Sequence, residues 1–157
     1  MTIDIAAAAP KTTYAASQKV LHWSLAVLIL LAAGIGTWCA FQAPGTEPRK
    51  SLLDIHKAIG LTAVWLVALR VVVRARLGEP PYAVAPGALA HAAARAVHAA
   101  LYGAMVIMPV SGYVYSCAGG YGLPWFGLFT WPRLLARDEA LSHAGYLIHH
   151  YVGWALW

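Results

Sequence analysis

The stretch SQKVLHWSLAVLILLAAGIGTW, residues 17–38, decides the fold class. No charged residue follows Lys19 within it, and most of its residues are Leu, Val, Ile or Ala. A helix needs about 20 mainly apolar residues to cross the hydrocarbon core of a bilayer. The stretch therefore predicts a membrane-spanning helix, and His22, at its start, is the polar residue that needs an explanation.

The composition of the whole chain agrees with that prediction. The 157 residues are 61% hydrophobic and 11% charged, whereas soluble domains have roughly 45–50% apolar and about 25% charged residues. The net charge is +5, but the charges form short clusters between apolar runs. That pattern is typical of loops beside membrane helices and does not favour nucleic-acid binding.

The apolar runs predict an all-α fold, a transmembrane four-helix bundle in one membrane domain. The predicted helices cover about residues 15–41, 52–75, 90–117 and 140–157, and Pro109 predicts a kink in the third. The Gly- and aromatic-rich segment before the fourth helix predicts a cap at the membrane interface. The N-terminal tail has Asp4 and no basic n-region, so it does not read as a signal peptide.

The orientation follows from the basic residues beside the helix ends. Arg70, Arg74 and Arg76 cluster where the second helix ends. Positively charged residues favour the cytoplasmic side. We therefore expect a cytoplasmic N-terminus, with the ends of helices two and four on that same side.

Histidines recur near the ends of all four predicted helices. The chain has seven of them, at His22, His56, His91, His98, His143, His149 and His150. Because successive helices alternate in direction, His22 and His98 share the inner level. His56 and His149 share the outer level.

Histidine inside a membrane bundle usually binds a cofactor or relays protons. Neutral imidazole is a good axial ligand for haem iron, and a porphyrin fits between facing helices. Two levels therefore predict haem or another redox cofactor bound between the helices, with two haems stacked across the membrane. A proton relay and simple interhelical hydrogen bonding remain open. Zinc is a poor candidate, because it prefers four ligands around one ion and the two histidine levels are too far apart to share one.

Other side chains have two readings each. Arg70 and Arg74 share a helix face and either pair with haem propionates or a quinone, or reach lipid phosphates. Lys57 either draws an anion towards the outer site or neutralises a propionate. Small residues that either admit a bulky ring or serve close helix packing are Gly34, Gly36, Gly60, Gly103, Gly112 and Gly153.

The remaining candidates have weaker assignments. His91, Arg95 and His98 share one face of the third helix, which borders either a quinone, a propionate or the lipid headgroups. His143 and His150 are expected at the interface. Cys39 and Cys117 read as small buried hydrophobes, although both lie at the outer side, where a disulfide is chemically allowed.

Several ordered segments resemble the bacterial cytochrome b561 family. They are LHW at 21–23, DIHKAIG at 54–60, LRVVVR at 69–74, HAALYGAMVIMPVSGY at 98–113, FGLF at 126–129 and HHYVGWALW at 149–157. Together they extend from about residue 19 to the last residue. The resemblance implies a dihaem b-type cytochrome with four helices in the bacterial inner membrane.

The resemblance also assigns iron ligands. His22 matches the helix-one ligand of the inner haem, and His56 and His149 match the two ligands of the outer haem. The family pattern has a second helix-four histidine about four turns after His149, beyond Trp157. The resemblance therefore implies a truncated fourth helix, and a single haem if that truncation is real. His98 remains the alternative partner of His22, or it lies beside a quinone.

The best-understood branch of the family resembles this chain, and it oxidises periplasmic superoxide and passes the electrons to ubiquinone. The resemblance thus implies membrane lipid, quinone and superoxide as partners. The alternative is an electron-transfer or structural subunit of a larger redox complex of the hydrogenase or dehydrogenase type, which requires a partner subunit.

Overall fold

A computed structural model describes residues 13–82 and 86–157. The N-terminal tail, with the prediction made for it, lies outside these residues. The described elements are helix α1 (Ala16–Ala40), helix α2 (Glu47–Leu77), helix α3 (Ala88–Ala118), strand β1 (Pro124–Trp125), strand β2 (Phe129–Thr130) and helix α4 (Glu139–Ala155).

Three of the helices are long and apolar enough to cross a membrane: α1, α2 and α3. Large apolar side chains project outwards from them, including Leu30, which is 64% exposed, and Val106, which is 55% exposed. Such a surface suits lipid and not water, so the chain is a multi-pass membrane protein in contact with lipid. Helix α4 has 17 described residues, or about 26 Å at the usual rise. That length is short of the about 30 Å hydrocarbon core, so a fourth span stays a prediction.

The helix ends differ most from the sequence prediction in α2. It begins at Glu47 instead of residue 52, with Pro48 in its first turn, a position where proline lacks only a hydrogen bond that the helix cannot make. The extra turn carries an exposed ion pair, Glu47–Lys50, at 3.8 Å. Apolar runs locate the part of a helix within the hydrocarbon, and they miss charged turns that lie beyond it.

The helices form two antiparallel pairs, α1 with α2 and α3 with α4, and α2 lies beside α3. We call the end of the bundle that holds the start of α1 the near end, and the opposite end the far end. Gly145 brings α4 against the backbone of α3, since a Cβ there would lie 2.8 Å from the amide nitrogen of Tyr115. Helix α3 continues through Pro109 as one helix.

The segment between α3 and α4 folds over the far end. Its two strands form a small antiparallel hairpin, and its turn contains Phe126 and Gly127, both with positive φ. The indole Nε1 of Trp125 donates to the hydroxyl of Thr62 on α2 at 3.0 Å, and Trp131 stacks on Trp65. The predicted cap thus contains a β-hairpin, which the Gly-rich sequence had not indicated, and it attaches to α2.

Candidate functional site

Two histidines from different helix pairs face each other inside the bundle. The ring centroids of His56, on α2, and His149, on α4, lie 5.8 Å apart with planes at 86°. Both residues are partly buried. These are the two residues that the alternating helix directions place at one level, and the tertiary structure brings their rings into contact.

Helix α1 holds the imidazole of His56. The Nδ1 atom lies 2.9 Å from the carbonyl oxygen of Ala32. One turn further along α1, Gly36 lies against the ring: a Cβ built on Gly36 would lie 3.1 Å from Cε1 of His56. The ring therefore rests on helix backbone that has no side chain at this point.

Helix α3 holds the imidazole of His149 in the same way. Its Nδ1 atom lies 2.8 Å from the carbonyl oxygen of Met108. A Cβ on Gly112, four residues later, would lie 3.0 Å from Cε1 of His149. The hydroxyl of Ser111 donates to the same Met108 carbonyl at 3.0 Å and lies 3.3 Å from Nδ1. Both helix pairs therefore use one arrangement, a carbonyl at position i and a glycine at i+4.

The two carbonyl contacts decide which ring nitrogen carries the proton. A carbonyl oxygen only accepts hydrogen bonds, so Nδ1 of each histidine must be the donor. In the neutral ring, Nε2 then keeps its lone pair, which is the state that a metal ligand requires. Two lone pairs on neutral imidazoles at this level form a matched donor set.

The spacing of the rings suits one shared metal. With metal–nitrogen bonds of about 2 Å, imidazoles whose centroids lie 5.8 Å apart would be close enough for one ion to bind a nitrogen of each. The described residues contain no group of three or more His, Cys, Asp and Glu placed to hold a metal ion. A porphyrin iron needs only two axial side chains, so the donor set fits haem.

The second predicted level forms a cavity at the near end. Its volume is about 210 Å³, and its lining includes His22, His98, Arg70 and Arg74. Both histidines are exposed. The arginines are partly engaged: Arg70 donates to the carbonyl of Gln18 at 3.4 Å, while Arg74 pairs with Glu79 and lies over the Tyr102 ring. The structure thus brings together all four residues that the sequence assigned to this level.

Some predicted residues lie apart from both places. His91 contacts Tyr82, with ring centroids 5.9 Å apart, and Arg95 is exposed. Neither lines the near-end cavity. The interface histidines contact the ring of Tyr146, at 6.4 Å for His143 and 5.4 Å for His150.

Lys57 and the cysteines have structural surroundings at the far end. The Lys57 ammonium donates to the carbonyl of Gly122 at 3.0 Å and lies 3.4 Å from Asp54. Lys57 therefore connects α2 to the segment between α3 and α4. Cys39 and Cys117 are buried free thiols, in keeping with their reading as small hydrophobes.

Sequence reasoning did not find the backbone partners of the histidines. Gly36 and Gly112 were among the small residues expected to admit a bulky ring, and the ring that each faces is an imidazole. Gly34, Gly60 and Gly103 have no neighbour within 4 Å of a built Cβ. The carbonyls of Ala32 and Met108 belong to the backbone, so the residue type does not identify them as partners. The one sequence feature that they share is a glycine four residues later.

Comparison with known proteins gives a consistent result. The family model described as prokaryotic cytochrome b561 matches residues 13–157. Among curated proteins, the chain is similar to cytochrome b561 homolog 2 of Escherichia coli (strain K12). The two are 26% identical over 143 residues, which cover 91% of this chain and 76% of that protein.

Proposed function

The chain belongs to the prokaryotic cytochrome b561 family of membrane electron-transfer proteins, and we propose that it carries electrons from superoxide to ubiquinone. The family implies haem b. In this proposal His56 and His149 hold one haem at the far end, and His22 contributes to a second site at the near end.

The observation that carries the proposal is the matched pair of His56 and His149. Their rings are 5.8 Å apart, and each Nδ1 lies within hydrogen-bond distance of a backbone carbonyl. Haem b bound there supplies one-electron redox chemistry. The two carbonyls set the tautomer of both rings, and Nε2 of each histidine would then supply a lone pair to iron.

The near-end cavity is the proposed quinone site. Its histidine His98 donates a hydrogen bond to a quinone carbonyl and supplies a proton as the quinone is reduced. Arg70 adds positive charge to the same cavity, which stabilises the anionic character of a partly reduced quinone. The apolar surroundings on α1 and α2 suit the rest of a lipid-soluble molecule.

The proposed overall reaction balances in electrons and protons. Two superoxide anions each lose one electron and become dioxygen. One ubiquinone takes up the two electrons with two protons and becomes ubiquinol. The far end, which faces the periplasm of the bacterial inner membrane in this proposal, carries Arg49, Lys50 and Arg133, whose positive charge attracts an anion. The N-terminus is then cytoplasmic.

A pigment spectrum of the purified protein, with the haem content per chain, tests the cofactor assignment. We expect a b-type spectrum, with two haems if the near-end site also binds iron and one if only His56 and His149 do. If the purified protein has no pigment and also fails to bind haem b added in excess, the proposal is wrong.

A superoxide flux tests the electron donor. We expect reduction of the pigment by superoxide and reoxidation by a water-soluble ubiquinone analogue. Reduction by dithionite but not by superoxide would instead favour the second candidate, an electron-transfer subunit that receives electrons from a partner protein.

A further inference from the structure

A second cavity lies at the far end, between α3 and α4, away from the paired histidines. Its volume is about 350 Å³, within the usual range for small-ligand sites. We call it the tyrosine cavity. Its lining includes Tyr115, Tyr121, Tyr146, Arg137, Glu139 and His143. None of them takes part in the contacts that hold His56 or His149.

Three tyrosine rings form inclined walls of this cavity. The Tyr115 ring lies 5.7 Å from that of Tyr121, at 62°, and 5.6 Å from that of Tyr146, at 55°. The faces of aromatic rings attract cations, and several rings around one space are a known way to recognise an alkylammonium group. The walls therefore favour a positively charged ligand group.

Two residues of opposite charge line the same cavity, and the structure shows no ion pair between them among the described residues. Arg137 and Glu139 both contribute to its lining. Within residues 13–82 and 86–157, the ion pairs involve other residues: Lys50, Lys57 and Arg74 with their acidic partners. A guanidinium binds phosphate well, and a carboxylate attracts ammonium. The cavity thus offers separate partners for both halves of a zwitterion.

The walls are held by backbone hydrogen bonds. The amide of Asp138 donates to the carbonyl of Ala118 at 3.0 Å, and the amide of Tyr121 donates to the carbonyl of Ser116 at 2.8 Å. Gly119 leaves room for the Tyr121 ring, since a Cβ there would lie 2.5 Å from Cε2. The backbone around the cavity is therefore fixed, and binding need not first order it.

The position at the ends of two helices indicates the ligand class. The cavity lies where α3 ends and α4 begins, and aromatic residues at the ends of membrane helices are typical of the lipid headgroup region. We propose that the tyrosine cavity binds a phosphoalkylammonium group, the headgroup of a zwitterionic phospholipid. The phosphate lies against Arg137, and the ammonium lies among the tyrosine rings beside Glu139.

Native mass spectrometry of the full-length protein in mixed micelles tests the proposal. The probes are phosphatidylethanolamine and phosphatidylglycerol, which share the phosphate but not the ammonium. We expect the protein to retain phosphatidylethanolamine about tenfold better, because cation–π and carboxylate contacts act only on the ammonium. Equal retention of the two lipids overturns the proposal.

Substitutions identify the cavity as the place of binding. Glu139→Gln and Tyr146→Leu should each lower retention of phosphatidylethanolamine about tenfold and leave phosphatidylglycerol unchanged. The matched controls are Glu47→Gln and Tyr151→Leu, which change exposed side chains outside the cavity. A helical circular-dichroism spectrum equal to that of the parent protein shows that each variant is folded. Unchanged retention in both cavity variants overturns the proposal.

Soluble phosphoethanolamine distinguishes a lipid from a free ligand. Competition by this probe, lost in Glu139→Gln, supports recognition of the headgroup, since the probe has no acyl chains. If phosphoethanolamine binds but phosphatidylethanolamine is not retained, the cavity still recognises a phosphoalkylammonium group, and its ligand is then a soluble molecule and not a lipid. Lipid retention that excess probe does not reduce overturns the proposal, because the acyl chains alone then hold the lipid.

Discussion

The imidazole of His56 packs directly against Gly36, since a Cβ built on that glycine comes 3.1 Å from Cε1 of the ring. The carbonyl of Ala32, one turn earlier, holds Nδ1 of the same ring at 2.9 Å. The glycine and the carbonyl act together: one lets the ring approach the helix, and the other sets its rotation and tautomer.

Gly36→Ala should therefore lower haem binding without unfolding the protein. The added methyl group must push the His56 ring by a few tenths of an ångström, and disturbance of the groups that orient a metal ligand typically costs about tenfold or more in affinity. Haem titration of the apoprotein, followed at the Soret band, measures the change.

Gly34→Ala is the matched control for that variant. It lies two residues earlier on the same helix and has no neighbour within 4 Å of a built Cβ. Alanine is also the better helix former by about 1 kcal/mol, so the control should bind haem normally. Equal haem affinity in both variants would falsify the positioning role of Gly36.

His56→Ala and His149→Ala should remove the same haem. If both rings bind one iron, either substitution lowers its affinity by at least about tenfold, and the double variant loses no more haem than either single variant. Pyridine haemochrome analysis gives the haem content of each purified protein.

His150→Ala is the neighbouring control for that experiment. The His150 ring stacks against Tyr146 and does not face His56, so its removal should leave the haem content unchanged. Loss of two haems in the double variant, with one lost in each single variant, contradicts a shared iron.

His98→Gln should weaken the use of quinone while keeping the haem content. The cavity that contains His98 also contains His22 and Arg70, and loss of one hydrogen bond to a quinone carbonyl costs about 1 kcal/mol, or roughly fivefold in affinity. Reoxidation of the reduced pigment by increasing ubiquinone analogue measures the apparent affinity.

His91→Gln provides the comparison on the same helix, because His91 contacts Tyr82 and lies outside the cavity. Its quinone affinity should equal that of the parent protein. If His98→Gln instead loses one haem, His98 is an iron ligand, and the quinone assignment is wrong.

Gly145→Ala should destabilise the packing of α3 against α4. Its Cβ would lie 2.8 Å from the amide nitrogen of Tyr115 and 3.0 Å from the carbonyl oxygen of Ser111. Backbone cannot move aside as a side chain does, so overpacking here should cost roughly 1–3 kcal/mol. Thermal unfolding in detergent should show a lower midpoint.

Gly153→Ala lies two turns later on α4, where the nearest atom to a built Cβ is the terminal methyl of Met108 at 3.4 Å. That flexible side chain can shift, so the midpoint should fall far less than for Gly145→Ala. Similar midpoints for the two variants would show that α4 does not depend on close approach at Gly145.

Much of the architecture was predictable because the underlying signals are local. Apolar runs located α1, α2 and α3, and the alternation of helix direction placed His56 with His149 and His22 with His98. The start of α2 at Glu47 and the hairpin before α4 were not predictable in this way. The first lies in a charged turn outside the hydrocarbon, and the second depends on Trp125 reaching Thr62 on another helix.

The sequence by itself determined the membrane class, the family and the shared levels of His22 with His98 and of His56 with His149, because hydropathy and residue order along the chain carry that information. Only the tertiary structure decided that Ala32 and Met108 accept from the two paired histidines, that Gly36 and Gly112 lie against their rings, and that three tyrosines line one cavity with Arg137 and Glu139. These features depend on how each helix is rotated about its axis and how closely it approaches its neighbour. Contacts between distant residues set both quantities, and no periodicity within one helix records them.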